Sequence, residues 1–129
     1  MNQWEYCSYK DGIIDHLVYN DRKEVWEHQD GTHIGLDFQT GTNGTFASRN
    51  WRCPTQGKYR IVFSAKCDTD TDVYVMLDNH ITLYRNEKTN AVHYENIVQV
   101  EENAFIQFVS GGGRLQEISI EIQKTLDNR

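Results

Sequence analysis

The run Trp51-Arg-Cys-Pro-Thr-Gln-Gly-Lys-Tyr-Arg-Ile-Val-Phe-Ser-Ala65 decides the fold. A Pro/Gly corner releases into a stretch whose alternate residues, Tyr59, Ile61, Phe63 and Ala65, share one face, which predicts a half-buried β-strand. Pro54, the only proline of the chain, stands just ahead of that strand, where a fixed φ and a missing donor do no harm.

Strand signals recur on both sides of this corner. Ile13-Ile-Asp-His-Leu-Val-Tyr19 reads as an early strand closed by Asn20-Asp21, and His33-Ile-Gly-Leu-Asp-Phe38 alternates with Ile34, Leu36 and Phe38 inward. Gly41-Thr-Asn-Gly44 turns the chain. Residues 72–77 place Val73, Val75 and Leu77 on one face and Tyr74 and Met76 on the other, so both faces are expected to be partly covered. Asp78-Asn79 closes that strand, and Ile81-Thr-Leu-Tyr84 opens its hairpin partner. Ala91-Val-His-Tyr94 and Ile97-Val-Gln-Val100 read as two short strands or one bulged strand. Ala104-Phe-Ile-Gln-Phe-Val109 ends at Gly111-Gly-Gly113, read as a hairpin connection into Leu115-Gln-Glu-Ile-Ser-Ile-Glu-Ile122. There Ile118, Ile120 and Ile122 point one way. Arg22-Lys-Glu-Val-Trp-Glu-His28 is the one segment expected to form a helical turn, with Asn20 or Asp21 as its cap. About eight or nine strands without αβ alternation predict an all-β antiparallel sandwich, a jelly roll, filling one domain over residues 1–129.

Thirteen basic against nineteen acidic residues give a net charge of −6, and no Lys/Arg run is dense enough to track a phosphate backbone, so nucleic acid is an unsuitable ligand. No stretch approaches the ~18 consecutive apolar residues of a membrane span. Met1-Asn-Gln-Trp-Glu5 lacks the order of a secretory signal, so the expected setting is cytoplasmic or virion-associated. Three cysteines cannot all pair within one chain. An extended strand between Cys53 and Cys67, at ~3.3 Å per residue, holds them beyond the ~7 Å between Cα atoms that a disulfide spans, and three reduced thiols are expected.

The order aromatic, Cys-Pro, two residues, Gly-x-Tyr-x-Ile-x-Phe resembles the entry to a central strand in the trimeric jelly-roll family of tumour necrosis factor and the complement globular head. Phe38-Gln-Thr-Gly-Thr-Asn43 and Phe46 follow that family's Phe, Asn, aromatic order. Trp51 and Ile61 stand where the family usually carries Phe, and the similarity covers residues 38–77. The resemblance implies a homotrimer, with Tyr59, Tyr74 and Phe105 as interface residues and a protein or glycan partner, in a virion-surface or receptor-binding role. Gly57-Lys-Tyr-Arg-Ile-Val-Phe-Ser-Ala-Lys66 followed by Val73-Tyr-Val-Met-Leu-Asp78 also resembles galactose-binding-type carbohydrate modules. That second resemblance implies an aromatic loop site and a structural calcium ion.

Asp68-Thr-Asp-Thr-Asp72 is the sharpest metal candidate, because carboxylates at alternating positions can converge on one hard cation. Asp68, Asp70 and Asp72 are its ligands, although the sixth-position Gly and twelfth-position Glu of an EF-hand are missing. For a sugar, Trp26, Tyr84 and Tyr94 offer stacking faces, and Arg85 offers hydrogen bonds. The five histidines show no zinc spacing. No nucleophile, base and orienter can be named together, so no catalytic activity is predicted. Asn43-Gly-Thr45 satisfies the glycosylation pattern and reads as a turn.

Overall fold

The computed structural model describes residues 3–11, 13–35, 37–39 and 45–125, the side chains of residues 39 and 68–70 excepted. Among them are eleven strands and no helix: β1 (Trp4–Lys10), β2 (Ile13–His16), β3 (Val18–Asn20), β4 (Val25–Glu27), β5 (His33–Ile34), β6 (Phe38–Gln39), β7 (Phe46–Arg52), β8 (Gly57–Leu77), β9 (Ile81–Val100), β10 (Phe105–Gly111) and β11 (Arg114–Lys124). All pairings are antiparallel.

The expected sandwich forms because β8 belongs to both layers. Its residues 59–67 pair with β11, and its residues 72–77 pair with β10. The return strand β9 follows β8 along its other edge, with register shifts between Lys66 and Val73 where the ribbon changes layer. Layer I therefore runs β2-β1-β7-β10-β8-β9, and layer II runs β9-β8-β11-β6-β5-β4-β3. Successive antiparallel pairs, β8/β9, β7/β10 and β6/β11, alternate between the layers, which is jelly-roll connectivity.

Period-two alternation then loads the core from both sides. Tyr59, Ile61, Phe63 and Ala65 of layer II meet Val73, Val75, Ile106 and Phe108 of layer I, all 8% exposed or less. Phe63 and Phe108 cross edge to face at 5.2 Å, and Trp51 meets Tyr59 at 5.0 Å. The Asp78-Asn79 signal makes the turn it predicted. His80 N–H donates to Leu77 O at 3.1 Å, with φ of 53° and 60° at the two central residues, a backbone twist that suits a hairpin.

Several expectations are corrected. Residues 22–28 form no helical turn: Asn20 Oδ1 does accept the N–H groups of Arg22 and Lys23, but Val25 and Trp26 pair with β3 and β5 instead of coiling. The early strand breaks at Leu17, which is buried and donates to Tyr6 O at 2.8 Å, so β2 closes layer I and β3 closes layer II. Residues 33–38 are two two-residue strands, with Ile34 and Phe38 both 1% exposed; Leu36 and residues 41–44 lie outside the described residues. Of the two readings of residues 91–94 and 97–100 the single strand is the one formed, within β9, and its register shifts lie ahead of Ala91. The glycine run is no hairpin, because β10 and β11 do not pair; it carries the chain from layer I to layer II along the edge of β8. The terminal alternation is interrupted by a bulge between Gln116 and Ser119, with Glu117 at φ 51°.

Candidate functional site

The outward faces of the two layers differ in kind. On layer II, residues 57–67 turn Lys58, Arg60 and Lys66 to solvent, where Arg60 pairs with Glu95 and Lys66 with Glu117 at 3.5 Å. On layer I the register sets side chains in rows across four strands. One row reads Cys7, Ser48, Val109, Tyr74, and the next reads Glu5, Asn50, Gln107, Met76. Cys7, Ser48, Asn50, Gln107 and Val109 are each 8% exposed or less, although they face away from the core. Of these, Gln107 and Val109 form the floor of a trough of about 220 Å³ whose walls include Tyr9, Phe46, Tyr74, Met76 and Thr82.

Local sequence explains each wall. Phe46 lies opposite Gly111, where an added Cβ would come within 2.5 Å of its ring, so the glycine lets the ring lie across β10. Phe46 meets Tyr74 at 6.1 Å, tilted by 60°. Asn79, in the β8–β9 turn, donates to Tyr9 Oη at 3.2 Å. Since β7 and β10 separate β1 from β8, this bond requires layer I to curl into a concave face. Tyr74 Oη donates to Glu87 Oε2 at 2.5 Å, and Glu87 also receives Arg85 at 2.9 Å. Burial and then the Glu87 bond push the Tyr74 hydroxyl up to about 12, so it remains a donor at neutral pH.

The buried polar groups beside this floor are almost fully paired. Ser48 Oγ donates to Asn50 Oδ1, and Asn50 Nδ2 donates to Cys7 Sγ at 3.6 Å. The Cys7 thiol is pushed up to about 11 by burial and then by Glu5 and Asp15, so it is not a nucleophile near neutrality. Gln107 is the exception. It is 4% exposed, and its Oε1 has no hydrogen-bond partner among the described residues. A buried orphan acceptor costs about 1–3 kcal/mol unless something supplies a donor.

The residues singled out in the sequence are dispersed by the fold. Tyr84 and Tyr94 pack on each other at 5.1 Å against the core, and their hydroxyls receive Asn86 and Asn96. Trp26 stacks on Tyr6 at 4.6 Å and meets Tyr19 at 5.1 Å, on β4 at the far side of layer II. Arg85 is exposed on the concave side, beside Tyr74. Tyr59 faces the core at 3% exposure and donates to Thr55 O at 2.6 Å, so its ring is not offered to a partner. Tyr74 and Phe105 do share the outer face of layer I, where Arg52 lies 3.8 Å over the Phe105 ring. Asp72 Oδ1 accepts the Lys88 N–H at 2.9 Å, while the side chains of Asp68 and Asp70 lie outside the described set. Among the described residues no three His, Cys, Asp or Glu converge on one point. Gln107 carried one sequence signal that went unused: it is the lone polar residue within Ala104-Phe-Ile-Gln-Phe-Val109.

A second polar corner joins β1, β2 and the β4–β5 turn. His28 Nε2 stands 3.4 Å from Asp15 and Nδ1 3.1 Å from Asp30, while Asp30 also accepts Ser8 Oγ and Thr32 N–H. Burial raises the Asp30 carboxyl, but the Thr32, Ser8 and His28 bonds outweigh it and hold the group at about 2. The serine bonds to the carboxylate and not to the imidazole, so no base faces the hydroxyl. The carboxylates also sit on opposite ring nitrogens, so one cation cannot take all three groups. A recess of about 910 Å³ beside β3 and residues 27–33 is open to solvent, and its Asn20 amide is already used by Glu27, Arg22 and Lys23. Compared with models of known protein families and with curated proteins, the chain matches none.

Proposed function

We propose that this protein is a non-catalytic recognition module that binds a neutral, hydroxyl-bearing ligand, a glycan, in the concave trough of layer I. The observation that carries this reading is the orphan Gln107 Oε1 beneath the rings of Tyr9, Phe46 and Tyr74. A pyranose offers what that geometry lacks: an apolar ring face to lie on the aromatic walls and a hydroxyl to donate to the buried amide oxygen. The low polarity of the walls and the paired state of Tyr74, Glu87 and Arg85 favour an uncharged ligand. A titration of the purified protein against a panel of neutral oligosaccharides tests it. Saturable binding that is lost in Gln107→Leu and Tyr74→Ala, with the fold retained, supports the trough; no binding across the panel, or binding indifferent to both changes, overturns it.

Self-assembly, as in the trimeric jelly rolls, is the second reading. It is favoured by Ile13, Ile14, Val18 and Tyr19, which are 64%, 42%, 74% and 46% exposed on the two edge strands β2 and β3. Light scattering decides it: three 15.1 kDa chains per particle support a trimer, and a single chain sinks it.

A further inference from the structure

The cavity opposite the trough, between β4 and the edge of layer I, holds an arginine that makes no ion pair among the described residues. Arg49 projects from β7 toward the core side of layer I, in the row of Tyr6 and Phe108. Its guanidinium lies 4.1 Å over the Trp4 ring and 5.7 Å from the Tyr6 ring. Nε is buried without a hydrogen-bond partner, and no ion pair or hydrogen bond to this guanidinium is found among the described residues. Of the two carboxylates lining the same cavity, Asp37 receives Arg114 at 2.5 and 3.0 Å, and Glu24 is exposed and makes no ion pair with Arg49. Arg49 opens instead on a cavity of about 660 Å³ walled by Tyr6, Tyr19 and Trp26, with Lys23, Glu24, His33 and Asp37 also lining it. A half-buried arginine stacked on rings is the arrangement that recognises a planar anionic group, because stacking fixes the fork while its terminal N–H groups stay available.

We infer that this cavity is a second binding site, for the acidic group of a small ligand whose body lies on Trp26 and Tyr19. Arg49 takes the carboxylate or phosphate oxygens, and the rings take the carbon skeleton. The site is independent of the trough: it opens between the layers at their β4 end, whereas the trough lies on the outside of layer I.

The test is an amide and side-chain NMR titration of the whole protein with four probes: glucuronate, phenyl phosphate, inorganic phosphate and neutral glucose. Saturable shifts of the Arg49 Nε–H and Trp26 indole N–H signals with glucuronate or phenyl phosphate, and none with glucose, are expected. Response to glucuronate alone assigns a carboxylate; response to phenyl phosphate alone assigns a phosphate ester. Inorganic phosphate should bind at least tenfold more weakly than phenyl phosphate, since it has no body for the rings. Arg49→Lys should weaken the response severalfold and Arg49→Gln abolish it. Tyr19→Ala, at the exposed mouth, should weaken it while leaving the fold intact even where the arginine variants fail to fold. Gln107→Leu should leave it unchanged, which separates this site from the trough. No shift at Arg49 or Trp26 with any anion, or equal shifts in Tyr19→Ala and the parent, overturns the site.

Discussion

The two outer faces are built by one hairpin, yet they have opposite characters. Along β8, residues 57–67 send Lys58, Arg60 and Lys66 outward on layer II, and residues 72–77 send Tyr74 and Met76 outward on layer I. The first face is a row of solvated charges whose pairs are 45% exposed or more, as in Arg60 with Glu95 at 45% each. Such pairs add little to stability and keep the sheet soluble. The second face buries five polar or small side chains and leaves one of them without a partner. In a jelly roll the core needs only one side of each layer, so the second side is free to be a solvated surface or a binding surface. Which one results depends on curvature and on where the aromatic residues fall.

Both faces rest on one core, and that is the first thing to break. Phe63→Ala removes a fully buried ring packed on Phe108 and should cost about 3–5 kcal/mol in a urea titration, with fluorescence and circular dichroism falling together. Separate transitions for the two signals would show that the layers are not one cooperative unit.

The His28–Asp30 corner is next in size. Its carboxyl sits at about 2, below the ordinary 3.8, so folding favours the ionised form. The resulting stabilisation, on the order of 2 kcal/mol, is present above pH 3.8 and is lost as the pH falls through about 2. Melting curves of the parent and Asp30→Asn should differ at neutral pH and converge in acid; a constant gap would remove Asp30 as the cause.

Gln107→Leu sharpens the contrast between the faces. Replacing an orphaned buried amide by an apolar side chain of similar size should leave the stability unchanged or raise it by up to about 1 kcal/mol, while glycan binding disappears. A marked loss of stability would mean that the amide is held by the fold and not kept for a ligand. Smallest of all, Arg60→Ala on the charged face should cost less than about 1 kcal/mol, and that cost should shrink further in 1 M salt. A larger loss would promote this face from solvated surface to structural element.

Much of the fold was legible from local pattern. The strand after Pro54, the hairpin at Asp78-Asn79 and the two-sided residues 72–77 follow from turn chemistry and period-two alternation, which act over a few residues. The readings that failed needed partners from elsewhere in the chain. Residues 22–28 carry a capping signal that works, yet strand pairing on both sides of β4 overrides it. The glycine run reads as a hairpin until β8 is seen to receive β10 and β11 at different heights of one edge. The candidate site was less legible still. Tyr84 and Tyr94 stand out as aromatics in the sequence, but packing uses them, while Tyr9, Phe46 and Gln107 meet only because β1, β7 and β10 align in register.

The sequence by itself determined that this chain is all-β, that it turns at Asp78-Asn79 and which residues of β8 face inward, because steric and hydrophobic periodicities are local. Only the tertiary structure decided which outward face is concave, that the Gln107 amide oxygen is buried without a partner among the described residues and that Arg49 lies over rings. Those properties depend on long-range register and on the burial of groups far apart in the chain, and a one-dimensional pattern carries neither.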